Sequence, residues 1–157
     1  MSDSSYLSNA ALVATFAILL YAAFMDVKNY RIPNSLVISV GLLFFLHAGL
    51  AGRWIDVPGH VGLAILVFAF LLLFYARNWV GGGDVKMLTA AYLWTGIQSA
   101  LVFSILLCLF ATFHILATRF GVVKPGFVDE DGRRRIPFAP SIAASLIGVF
   151  ALNVSVQ

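Results

Sequence analysis

Residues 7–28 read LSNAALVATFAILLYAAFMDVK. No charged side chain interrupts positions 7–25, and a helix needs about 20 apolar residues to cross a bilayer. The stretch therefore predicts a spanning helix, and it ends on a carboxylate, Asp26. A carboxylate at membrane depth costs roughly 2.5–3.5 kcal/mol on insertion scales, so it tends to persist only where it has a task.

The rest of the chain repeats this pattern. Of its 157 residues, 61% are hydrophobic and 11% charged, with a mean hydropathy of +0.96, which excludes an ordinary soluble domain. Apolar segments fall at about 7–25, 35–51, 60–76, 85–97, 100–118 and 138–154. The expected fold is one all-α membrane domain over 1–157, a polytopic protein of about six transmembrane helices with no soluble domain. The fourth segment is short, and only Gly96-Ile97-Gln98-Ser99 separates it from the fifth, so the two are expected to form a tight hairpin or to share a displaced boundary. No Lys or Arg precedes the first segment and no Ala-x-Ala site follows it, so it is expected to be retained rather than cleaved as a signal peptide.

Basic residues orient the chain, because loops rich in Lys and Arg stay in the cytoplasm. Lys28, Arg31, Arg77, Lys86, Arg119, Lys124, Arg133, Arg134 and Arg135 follow segments one, three and five, against Arg53 alone after segment two. Both termini are thus expected on the non-cytoplasmic side. Asp26 closes segment one and Asp84 opens segment four, so the two carboxylates share the cytoplasmic face. If those segments pack together, Ala22 and Ala23 would meet Ala90 and Ala91 at close range.

Local chemistry supports a site there. Asp84 follows Gly81-Gly82-Gly83, a run that permits unusual backbone angles and close approach of another chain. Taken alone, a glycine run reads as a flexible turn; beside an intramembrane aspartate it suits an extended peptide. Asp26 is followed by Ile32-Pro33-Asn34, where the proline stiffens a short loop. Two nearby carboxylates cannot easily both ionise, so such a pair shares a proton and supplies one base to activate water and one acid to polarise a carbonyl.

Other candidates read as structural. Lys28 and Lys86 suit interfacial anchors, and Arg133-Arg134-Arg135 suits anionic lipid. Asp129-Glu130-Asp131 reads as a solvated loop. His47, His60 and His114 lack metal-ligand spacing, and Cys108 is alone, which leaves it a packing role. Trp54, Trp79 and Trp94, with Tyr21, Tyr30 and Tyr75, fit interface belts.

Three motifs in order, Asp26 with Ile32-Pro33-Asn34, Gly81-Gly82-Gly83-Asp84-Val85-Lys86, and Ile136-Pro137-Phe138-Ala139-Pro140, resemble the type IV prepilin peptidases, membrane aspartic proteases with a Gly-x-Gly-Asp signature. The resemblance implies that Asp26 and Asp84 are catalytic. It also implies that Gly81, Gly83, Ile32, Pro33, Asn34, Lys86, Pro137, Phe138 and Pro140 shape or brace the active site. It implies cleavage of leader peptides from prepilins and pilin-like proteins at the cytoplasmic face of a bacterial inner membrane, with no cofactor, no metal and no nucleic acid partner. Paired Cys-x-x-Cys motifs of the long family members are missing, so a peptidase without N-methyltransferase activity is expected, of the compact form found in tight-adherence pilus systems. The rival readings are a cation- or proton-coupled transporter and a non-catalytic pilus-assembly module. A transporter would spread acidic or amide groups through the bilayer, whereas segments two, three and five contain no Asp or Glu.

Overall fold

Every apolar segment is helical in the computed structural model, which describes residues 3–121 and 137–156. The described elements are α1 (Asp3–Asn29), α2 (Asn34–Leu50), α3 (Val57–Ala76), α4 (Gly82–Arg119) and α5 (Ala139–Val156). Three stretches are long and apolar enough to cross a membrane, Tyr6–Asn29, Val57–Ala76 and Gly82–Arg119; Asn34–Leu50 and Ala139–Leu152 are apolar but shorter. The prolines explain several starts. Pro33 caps α2, Pro58 lies in the first turn of α3, and Pro140 in that of α5, positions where a missing N–H goes unnoticed.

Helix α4 takes in both the fourth and fifth apolar segments, and it is not straight. Gly96 has φ 58° and ψ −175°, a backbone region open essentially to glycine alone. Tyr92 and Ser104 show the result. Twelve positions along a straight helix span about 18 Å, yet Tyr92 Oη lies 2.8 Å from Ser104 Oγ, and the Tyr92 and Phe103 rings meet edge to face at 4.9 Å. The helix doubles back into a hairpin whose arms flank Gly96.

A break of this kind strands carbonyls that a continuous helix would pair four residues on. The carbonyl of Tyr92 accepts from Thr95 Oγ1 at 3.2 Å, and that of Leu93 accepts from His60 Nδ1 at 2.8 Å. The His60 ring also stacks on Phe44 at 5.3 Å. It lies so close that a Cβ on Gly96 would stand 2.5 Å from its Nε2. Elsewhere Thr15, Thr89, Ser104, Thr118 and Ser145 return their hydroxyls to the carbonyl four residues back, the local solution open to a helix surrounded by lipid.

Packing joins α1 to α2 and α5, and α4 to α3, α5 and α2. The core draws on Leu19 and Ala22 of α1, Val40 and Phe44 of α2, Met87, Ala91, Trp94 and Phe103 of α4, and Ile142, Ala143 and Leu146 of α5. From α3 only Ala64 is buried, while Ile65, Leu66 and Leu73 are among its many exposed apolar residues. An exterior more apolar than water tolerates is what lipid requires.

Three expectations change. Ala22, Ala90 and Ala91 are buried and Ala23 is half-buried, but the main partner of both α1 and α4 at this seam is α5; its Ala139, Ser141, Ala143 and Ser145 are small and buried, which permits that approach. Trp94 is not an interface residue: it is 5% exposed and donates Nε1–H to the Val40 carbonyl at 2.9 Å. It sits two residues before the bend, with the Phe44 and His47 rings of α2 and the Phe150 ring of α5 around it. Cys108 is exposed rather than packed. Trp54 and Trp79 are exposed.

Gly96→Ala meets both the Gly-only backbone and the His60 ring. It is expected to cost at least about 1–3 kcal/mol of stability, read as a lowered unfolding midpoint in detergent. Adding His60→Ala should recover only part of the loss, because the backbone strain stays.

Candidate active site

Three turns meet at the end of the bundle where α1 and α3 close and α2, α4 and α5 open. The first follows α1. Tyr30 has φ 51°, left-handed for a non-glycine residue, and its N–H donates to the backbone carbonyl of Asp26 at 2.8 Å. That conformation ends the helix and turns the chain into Ile32-Pro33-Asn34, where Pro33 takes φ −59° and ψ 136° and α2 begins. Asn78 repeats the device after α3, with φ 56°, and asparagine accepts that region more readily than most residues.

Asp26 is 6% exposed. Its Oδ2 accepts from the backbone N–H of Ala139, 113 residues away, at 3.0 Å. The pairing follows from how α5 starts. Pro140 has no N–H, and the N–H groups of Ser141 and Ile142 turn back to the Phe138 carbonyl at 3.0 and 3.3 Å. Ala139 is left as the first-turn donor seeking an acceptor, and a helix N-terminus favours a carboxylate there. The Pro137-Phe138-Ala139-Pro140 segment thus holds Asp26 through a backbone amide. Pro137 is buried, Phe138 and Pro140 are half-buried, and Phe138 packs against the core. Ile136, Lys124, Asp129-Glu130-Asp131 and Arg133-Arg134-Arg135 lie outside the described residues.

Asp84 is the third residue of α4, half-buried, in the turn capped by Gly81. Gly81 has φ −70° and ψ 143°, so glycine is needed there for space and not for angle. A Cβ on it would stand 3.0 Å from Asp84 Oδ2, which means the carboxylate folds back over the glycine. A Cβ on Gly82 would stand 3.2 Å from the Tyr75 ring of α3, whereas one on Gly83 would meet Ile32 at an ordinary 3.6 Å. Gly82, passed over in the Gly-x-Gly-Asp pattern, is therefore more confined than Gly83. The glycine run is also less of a loop than expected, since the helix begins at Gly82.

Two contacts tie these turns together. Ile32 lies against Gly83, and Lys86 Nζ donates to Asn34 Oδ1 at 3.0 Å. Lys86, expected as an anchor, instead links the loop that follows Asp26 to the helix that carries Asp84. Lys28 lies 5.9 Å from the centroid of the exposed Phe24 ring, one turn back on the same helix. Ala139 and Gly82 are the participants that residue type alone does not reveal. The signal for Ala139 is present in its flanking prolines, which leave it one of few free amides. Among the described residues no three His, Cys, Asp or Glu side chains are grouped to hold a metal ion.

The Asp26–Ala139 bond separates two roles in one experiment. Asp26→Asn keeps an acceptor oxygen and should leave the unfolding midpoint close to that of the wild type. Asp26→Ala strands the Ala139 amide in a buried place and should lose about 1–3 kcal/mol, measured by thermal unfolding in the same detergent.

No curated protein and no solved structure matches the chain. The model of the Type IV leader peptidase family matches residues 13–116, a stretch that contains Asp26, Ile32-Pro33-Asn34 and the whole run from Gly81 to Lys86, and stops short of Pro137. A match over most of the chain, carrying both aspartate motifs in order, makes this protein a member of the Type IV leader peptidase family.

Proposed function

We propose that the chain is a prepilin leader peptidase in which Asp26 and Asp84 activate water between them. Family membership implies aspartic protease activity and prepilin substrates. The observation that carries the assignment of residues is the tie between the two aspartate segments, Lys86 to Asn34 at 3.0 Å with Ile32 against Gly83. Sharing one proton, the ionised carboxylate takes a proton from water as it attacks the scissile carbonyl, and the protonated one hydrogen-bonds the carbonyl oxygen. Collapse of the tetrahedral intermediate then moves a proton to the leaving amine. The Ala139 amide fixes the Asp26 carboxylate and Gly81 leaves room for that of Asp84, so both are set before substrate arrives.

The substrate is a pilin or pilin-like precursor of the tight-adherence kind, with a short polar leader followed by an apolar helix. Six spans, with both termini outside and the Lys- and Arg-rich turns inside, bring the aspartates to the cytoplasmic face of the inner membrane, where such a leader meets its helix. The absence of Cys-x-x-Cys pairs favours cleavage without N-methylation. A transporter reading finds little support: the buried polar side chains among the described residues are Ser8, Thr15, Asp26, Thr95, Ser141 and Ser145, and Asp26 alone of these carries a charge.

Purified protein in liposomes, given a pilin precursor, tests the reading. Asp26→Asn and Asp84→Asn should each lower the cleavage rate by at least about a hundredfold, the range for loss of a positioned acid or base. Full processing by either variant would remove that residue from the mechanism. Gly81→Ala should slow cleavage with an unchanged unfolding midpoint, because its methyl group displaces only the Asp84 carboxylate.

A further inference from the structure

The end of the bundle opposite the aspartates contains a cavity of about 150 Å³ between the α2–α3 turn, the Gly96 bend of α4 and the end of α5. Phe44 and Trp94 form apolar walls, and His47, Arg53, Asp56 and Gln98 bring polar groups to it. Apolar walls with a few convergent polar groups are the usual form of a ligand site. None of these polar groups belongs to the candidate active site.

The charges on the turn are unspent. Arg53 and Asp56 are three residues apart and both exposed, and among the described residues neither side chain has a hydrogen-bond or ion-pair partner. Asp56 stands at the N-cap of α3, where a carboxylate commonly bonds the first-turn amides, yet it makes no such bond. The turn between them is apolar, with Trp54 58% and Ile55 90% exposed. A turn that joins two lipid-facing helices and presents a tryptophan and an isoleucine lies at the boundary of the bilayer, among head groups.

We propose that this cavity binds the head group of a phospholipid that carries both a phosphate and a primary ammonium. Arg53 takes the phosphate, for which a guanidinium is suited by charge and shape. Asp56 takes the ammonium, whose N–H groups it can accept. The aromatic walls and Gln98 enclose the ethanolamine link between the two charges. An anionic head group lacking the ammonium leaves Asp56 unpaired and facing a like charge. A quaternary ammonium offers Asp56 charge but no N–H.

Native mass spectrometry of the full chain released from detergent tests this, with phosphatidylethanolamine, phosphatidylglycerol and phosphatidylcholine of equal chain length added in turn. Wild type should retain the ethanolamine lipid over the other two. Arg53→Gln should lower that retention about tenfold, as expected for loss of a charge-assisted bond. Asp56→Asn should level the ethanolamine and glycerol lipids. Unchanged elution of both variants as a single species by gel filtration confirms that they fold. Equal retention of all three lipids by wild type, or wild-type retention by either variant, would overturn the proposal. Displacement of the lipid by soluble O-phosphoethanolamine alone would reassign the cavity to a soluble zwitterion and overturn the lipid assignment.

Discussion

A helix that breaks or begins where packed neighbours exclude water leaves amides and carbonyls unpaired, and each one buried without a partner costs about 1–3 kcal/mol. This protein meets that constraint at two places, and the rest of its architecture follows from how it does so. At the Gly96 bend the stranded carbonyls are taken by His60 and Thr95. At the start of α5 the orphan amide of Ala139 is taken by Asp26. The first solution fastens α3 to the hairpin, and the second fastens the end of α1 to α5. Together with the Trp94–Val40 and Lys86–Asn34 bonds they hold helices whose remaining contacts are made largely of small and apolar side chains.

The second solution gives Asp26 a structural task beside the catalytic one proposed for it. A carboxylate that braces a helix start is held in one geometry at no expense to packing, and the same fixed geometry is what an acid or base acting on water requires. Burial and the proposed chemistry therefore do not compete at this residue. The site is assembled from backbone amides, a lysine–asparagine bond and glycine clearances rather than from a dense network of charged side chains, in keeping with a location where charges are costly.

Much of this is legible in the sequence because lipid imposes a coarse grammar. Uninterrupted apolar runs mark the helices, prolines mark their starts, and Gly96 at the shortest gap marks the hairpin. Which helix faces meet is not legible. In a soluble protein the buried stripe of a helix differs from its wet side, but here core and surroundings are both apolar, so Leu19 in the core and Leu20 in the lipid look alike. Trp94 resembles a belt residue in sequence for the same reason, and nothing in the apolar pattern marks α5 as the helix that packs on both α1 and α4. At the site, residue types point to the aspartates and glycines. The amide that holds Asp26 is a main-chain group of an alanine, and its one trace in the sequence is the pair of prolines around it.

In helix α3 burial and hydropathy part company. With Ala64 its one buried residue, it packs on α4 through half-buried side chains, faces outward with the rest, and is tied at its ends by His60 and Tyr75. Its outward positions, such as Ile65, Leu66 and Leu73, can drift among leucine, isoleucine, valine and phenylalanine with little penalty, since a fluid solvent adapts to side-chain shape as a packed core does not. Across relatives, the positions that hold this helix in register would then be its two termini and the side around Ala64, and its outward apolar residues would be its least informative.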